Sequence, residues 1–156
     1  MDDERALGFD LLWLSHIGPR WTPPATSSAG YLLDIYAERK MQVILGIGST
    51  PNWYGPLDAK REIEVVGATV REIGQRYGSH PAFHGWYVPH EIYMTWERMS
   101  KFIDTFYPAA VEACKAAADK LVTLSPFFIL DRGADLRQLP LQQARPVPGL
   151  LVALIN

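Results

Sequence analysis

The chain has one cysteine, no large excess of charge of either sign and no long apolar run, and each shortage removes a class of function. A lone thiol, Cys114, excludes an intramolecular disulfide framework; in the run Glu112-Ala-Cys-Lys-Ala-Ala-Ala118 it reads as a small core residue of a helix. The 15 basic residues nearly balance the 17 acidic ones, and no stretch of five is dominated by Lys and Arg, so nucleic acid is excluded as the expected partner. No apolar run approaches the roughly 18 residues that span a bilayer, and Met1-Asp-Asp-Glu-Arg5 is acidic where a secretory leader would be basic. No membrane contact is expected, and the compartment stays open. What is plentiful is aromatic surface: five Trp and seven Tyr, several placed beside Pro, Gly or His rather than inside apolar runs. With 48% hydrophobic and 21% charged residues over 156 positions, the composition is that of an ordinary globular domain.

Periodicity alternates along the chain. Gly8-Phe-Asp-Leu-Leu-Trp-Leu-Ser-His16 reads as a buried strand, and Tyr31 to Lys40 as an amphipathic helix ending in cations. Met41-Gln-Val-Ile-Leu-Gly-Ile47 is a second strand; Ile63, Val66, Val70, Ile73 and Tyr77 then mark one face of a second helix. Ala82-Phe-His-Gly-Trp-Tyr-Val88 is a third strand. Helical spacing returns at Met99, Phe102, Ile103 and Phe106 and again through Ala110, Val111, Cys114 and Ala117, with Pro108 expected to kink the region or start a second helix. Leu121-Val-Thr-Leu-Ser125 is a fourth strand. Apolar strands alternating with amphipathic helices predict parallel βα units, here about four, too few to close an eight-stranded barrel. Residues 1–130 are read as that partial barrel domain and 131–156 as an irregular tail broken by Pro140, Pro146 and Pro148.

In such folds the functional surface lies at the C-terminal ends of the strands. That rule selects His16, Asn52, Trp53, Tyr54, His90 and Glu91, with Trp86 and Tyr87 just upstream. A carboxyl enclosed by aromatic rings disfavours its charged form and suits a general acid, the role open to Glu91. A helix cap or an Arg partner is the competing reading of the same residue. Trp53 and Tyr54 could stack on the apolar face of a sugar ring or cover the core. Asn52, Ser49 and Thr50 could bind hydroxyls, although turns explain the Ser and Thr better. His80, His84 and His90 lie close in sequence, but Pro81 and Gly85 spoil helical ligand spacing, so no metal is expected. Gly46-Ile-Gly48 lacks the third glycine of a dinucleotide fingerprint and no G-x-S-x-G elbow exists, so no cofactor is expected.

Three stretches together carry a resemblance: Leu45-Gly-Ile-Gly-Ser-Thr-Pro-Asn-Trp-Tyr54, Gly85-Trp-Tyr-Val-Pro-His-Glu-Ile92 and Leu121-Val-Thr-Leu-Ser-Pro-Phe-Phe128. From about Ala6 to Asp131 the chain resembles the DUF4434 family, (β/α)₈-barrel proteins similar to clan A glycoside hydrolases. The resemblance implies that Glu91 is the acid/base carboxyl at the end of the fourth barrel strand, that Trp86 and Tyr87 match its aromatic pair and that Trp53 is a loop aromatic after the third. It also implies a carbohydrate ligand, and His16, Asn52, Tyr54 and His90, read from the strand-end rule, are expected to bind it beside those rings. Against the family pattern the first βα unit and the last three strands are missing, and the second carboxylate with them. The tail after Arg137 departs from the family, and a frameshifted or fragmentary gene is the expectation for it. Two other readings stand beside the enzyme: a non-catalytic carbohydrate-binding or assembly module, and an inactive remnant that self-associates through exposed barrel edges.

Overall fold

The computed structural model describes residues 6–15, 28–91, 97–124 and 150–152. Within them the order is β1 (Leu11–Leu14), α1 (Ser28–Glu38), β2 (Gln42–Gly46), α2 (Ala59–Tyr77), β3 (Phe83–Val88), α3 (Glu97–Ala117), β4 (Leu121–Leu124) and β5 (Leu150–Val152). The strands form one parallel sheet in the order β1-β2-β3-β4-β5. Each strand lies beside its neighbour in sequence. The order never doubles back, as it does in doubly wound sheets, and a barrel wall is built this way.

Local chemistry sets the helix limits. At the start of α2 the Asp58 carboxylate accepts a hydrogen bond from the Arg61 amide at 3.1 Å, and at its end the Gly78 amide donates to the Gly74 carbonyl at 2.9 Å. After α1 the Arg39 side chain donates to the Ile35 carbonyl at 3.2 Å, and Lys40 turns the chain into β2 with φ of 56°. The expected stripe on α2 is present: Val66, Val70 and Ile73 are buried.

One of the two alternatives expected at Pro108 is corrected: no second helix starts there, and α3 is a single 21-residue element with Pro108 inside it. Its buried residues Met99, Phe102, Phe106, Ala110, Val111 and Cys114 stay in phase on both sides of the proline. Burying each large one contributes about 1.5–3 kcal/mol, which together outweighs the ~3 kcal/mol an interior proline costs. The four expected strands are present, and among the described residues a short fifth joins them: Leu150, Leu151 and Val152 pair with Val122, Thr123 and Leu124 of β4. The sequence showed residues 150–155 as an apolar run after several prolines; pairing with β4 is what makes 150–152 a strand.

The sheet has two unlike faces. Val43, Leu45, Phe83, Trp86, Val88, Val122 and Leu124 join the helix stripes in one apolar core. The alternate residues, among them Trp13 and Tyr87, point to the other face, where their rings stack at 5.2 Å. One irregularity changes the alternation in β3. Phe83 lies opposite Val43 and Gly85 opposite Ile44, so His84 is an extra residue. As a result Phe83 and Trp86, three apart, both face the helices and meet edge to face at 4.7 Å. The helices α2 and α3 approach closely at Gly74, where a Cβ would lie 2.7 Å from the Ala117 Cβ.

Candidate functional site

The C-terminal ends of β2 and β3 bring the loop of residues 47–58 beside residues 89–91. The Ile47 amide donates to the Tyr87 carbonyl at 2.9 Å, carrying the strand pairing into the loop's first residue. At its tip the loop folds on itself: Asn52, at φ 65°, accepts from the Gly55 amide at 2.9 Å, and the Trp53 carbonyl accepts from the Leu57 amide at 3.1 Å. Asn is one of the few side chains that tolerate this left-handed conformation.

Trp53 is half-buried. Its ring lies 4.8 Å from His90 and 5.7 Å from Phe102, while Tyr54, 62% exposed, meets it edge-on at 6.1 Å. Asn52 and Glu91 are exposed on the same rim. The enclosure expected for Glu91 is therefore not present, because the rings upstream of it turn elsewhere. Trp86 is fully buried on the helix side, where its indole N–H donates to the Ala118 carbonyl at 3.0 Å. Tyr87 faces the opposite side of the sheet and stacks on Trp13. The structure thus brings Asn52, Trp53, Tyr54, His90 and Glu91 together and leaves Trp86 apart from them. His16 lies outside the described residues.

His90 is not a surface group. It is fully buried, with its Nε2 2.9 Å from Oε1 of Glu62, itself 2% exposed. The two oxygens of Glu62 also accept from Thr50, Oε1 from its amide and Oε2 from its hydroxyl, each at 2.6 Å. The Tyr107 hydroxyl donates to the His90 carbonyl at 2.8 Å, and Phe106 lies 4.2 Å from the imidazole ring. Burial lowers the His90 pKa, with Glu62 opposing the shift. Burial works to raise the Glu62 pKa, but the bonds from His90 and Thr50 outweigh it and hold the carboxyl below its usual range. We therefore assign an ionised carboxylate accepting from a neutral imidazole protonated on Nε2. The buried Nδ1, which has no hydrogen-bond partner among the described residues, is then a lone pair and not an orphaned N–H. Burial also pushes the Tyr107 hydroxyl pKa far up.

Among the described residues no three His, Cys, Asp or Glu side chains come together as a metal site. His80 is used in structure at the other end of the sheet, its Nε2 3.2 Å from Asp34 and its Nδ1 accepting from the Ala82 amide. No helix among the described residues is long and apolar enough to cross a membrane.

Sequence reasoning missed Glu62, Phe102, Phe106 and Tyr107 as members of this cluster. Glu62 carried a signal: it falls four residues before Val66, on the buried stripe of α2, where an acidic residue needs a partner. Thr50, read as a turn former, is instead the loop's anchor on that carboxylate.

Known structures share this architecture. The endoglucanase Cel5A of Pseudomonas stutzeri matches at TM-score 0.65 and 18% identity, over 96% of this chain and 49% of that one. Its complex with cellobiose matches at 0.64 and 20%, over 96% and 48%. A beta-galactosidase from Rahnella sp. R3 matches at 0.59 and 12%, over 81% and 32%. The chain spans less than half the length of each of these structures. At these identities the likeness establishes the fold, a partial (β/α)₈ barrel of the kind found in glycoside hydrolases. No curated protein matches the chain. The model of a domain of unknown function, DUF4434, matches residues 15–144, reaching past Arg137 into the proline-rich stretch, and the chain belongs to that family.

Proposed function

We propose that the strand-end rim of this partial barrel binds a carbohydrate and that Glu91 serves there as general acid/base. One juxtaposition carries the reading: the Trp53 ring lies tilted at 4.8 Å against His90, the residue before Glu91, so a carboxyl and a loop of aromatic surface share one rim. Flat rings such as Trp53 and Tyr54 suit the apolar face of a pyranose, and Asn52 offers an amide to its hydroxyls. Glycoside hydrolysis also needs a second carboxyl across the scissile bond. The fold neighbours named as glycosidases, one of them seen with cellobiose, support the substrate class.

A second reading is non-catalytic carbohydrate binding. The exposure of Glu91 favours it, since a carboxyl open to solvent is not closed around a scissile bond. A glycan array probed with the wild-type chain, Tyr54→Ala and Glu91→Gln tests both readings, with aryl-glycoside hydrolysis assayed in parallel. Binding that is lost in Tyr54→Ala and kept in Glu91→Gln supports the carbohydrate site. Hydrolysis lost in Glu91→Gln adds catalysis; binding without hydrolysis selects the second reading. A folded chain that binds no glycan would sink both.

A further inference from the structure

We propose that Glu62, His90 and Thr50 form a latch that positions the loop carrying Trp53 and Tyr54 against the end of β3. The three are positioning residues, acting through Trp53 and not by touching a ligand. Among the described residues, between Ile47 and the Asp58 cap of α2, the hydrogen bonds that tie this loop to another element end on one carboxylate, the Glu62 side chain at the start of α2. The other bonds of that stretch stay within its tip. Glu62 in turn holds His90, and α3 holds the His90 carbonyl through Tyr107. Loop, α2, β3 end and α3 are thereby fixed to one another through a single buried group. The aromatic wall completes the device: the ring that Trp53 rests on is the ring Glu62 orients, with Phe102 and Phe106 behind it.

A buried His–Glu pair is an expensive way to gain stability, because apolar residues of the same volume do as well or better. What it supplies is direction. Three donors converging on two carboxylate oxygens fix where Thr50 sits, and Trp53 follows three residues later. The proposal rests on the carbohydrate reading for its effect on binding; the placement of Trp53 stands apart from it.

The test is ¹⁹F NMR of the full chain labelled with 5-fluorotryptophan, with Trp53→Phe assigning the Trp53 signal and Trp86→Phe the control. Glu62→Gln and His90→Ala should shift the Trp53 signal and increase its solvent isotope shift, leaving Trp86 unmoved. His90→Gln, whose amide N–H reaches the place of Nε2 but which lacks the ring, should move the Trp53 signal less than His90→Ala does. Cellobiose is the binding probe: its affinity should fall about tenfold in Glu62→Gln, the scale of one stacked ring. Should Glu62→Gln fail to fold, Thr50→Val, which removes one of the three bonds, takes its place with a smaller shift of the same kind. An unmoved Trp53 signal in a folded variant overturns the latch, as does an equal change at Trp53 and Trp86. A wild-type chain that ignores cellobiose while its Trp53 signal still follows Glu62 counts against the carbohydrate reading and leaves the latch standing.

Discussion

On the helix side of the sheet, Val43, Leu45, Phe83, Val88, Val122 and Leu124 meet α2 and α3 through apolar contact alone; at the strand ends, Glu62, His90 and Thr50 meet through three hydrogen bonds. Both places are buried, yet they hold the chain by different means. Apolar packing is non-directional and accepts substitutions that conserve volume. A buried polar cluster gives little net stability, but leaving one of its members unpaired costs the full desolvation of that group. The first suits a scaffold. The second suits a loop whose rings must face one way.

The largest effect expected from this contrast is at His90. Replacing it with Ala leaves the Glu62 carboxylate buried without one partner, and urea denaturation should show a loss of about 3–5 kcal/mol. A loss no larger than that of an ordinary surface change would erase the contrast. On the apolar side, Gly74→Ala puts a Cβ within 2.7 Å of the Ala117 Cβ, and the two helices must part; about 1–3 kcal/mol is expected from the same denaturation series.

The pH dependence of stability sharpens the comparison further. In the folded chain the His90 pKa lies below its ordinary value of 6.5, so between the two values the unfolded state binds the extra proton. Stability is then complete above pH 6.5 and falls as pH drops through that range, by at most about 1.4 kcal/mol per pH unit for one proton. Glu62, also lowered, adds a further loss as pH falls below its ordinary value of 4.5. In His90→Gln the slope between pH 6.5 and 4.5 should flatten, as read from melting temperature against pH. An unchanged slope would locate the titration elsewhere.

Cys114 probes the apolar side without altering stability. Burial pushes its thiol pKa up to about 12, so it should react with a thiol reagent such as DTNB only as fast as the chain opens. Rapid reaction in the native state would show that the α3 core is looser than its packing implies. The smallest effect is at Tyr54, whose ring is 62% exposed: Tyr54→Ala should change stability by less than about 0.5 kcal/mol. Any larger loss would make Tyr54 part of the scaffold.

Much of the scaffold was legible in the residues. The steps of three and four from Ile63 to Tyr77 and from Met99 to Ala117 mark helices because only one stripe of each can face the sheet. The strand-end rule picked out Trp53, Tyr54 and Glu91, which the fold does place on one rim. It misjudged Trp86, because one extra residue at His84 decides which rings of β3 face the helices. At Pro108 the local rule offered a kink or a second helix, and it was the second that failed, since a local rule carries no information about the apolar surface on both sides of the proline.

By itself, then, the sequence determined the order of the elements and their parallel sense, both of which follow from local periodicity and connection length. The tertiary structure alone decided that Glu62 and His90, 28 positions apart, share a buried bond, that Thr50 anchors a loop on it, and that residues 150–152 complete a ladder. Hydrogen bonds between distant residues depend on direction and on the exclusion of water. Neither exists until the chain has closed around them.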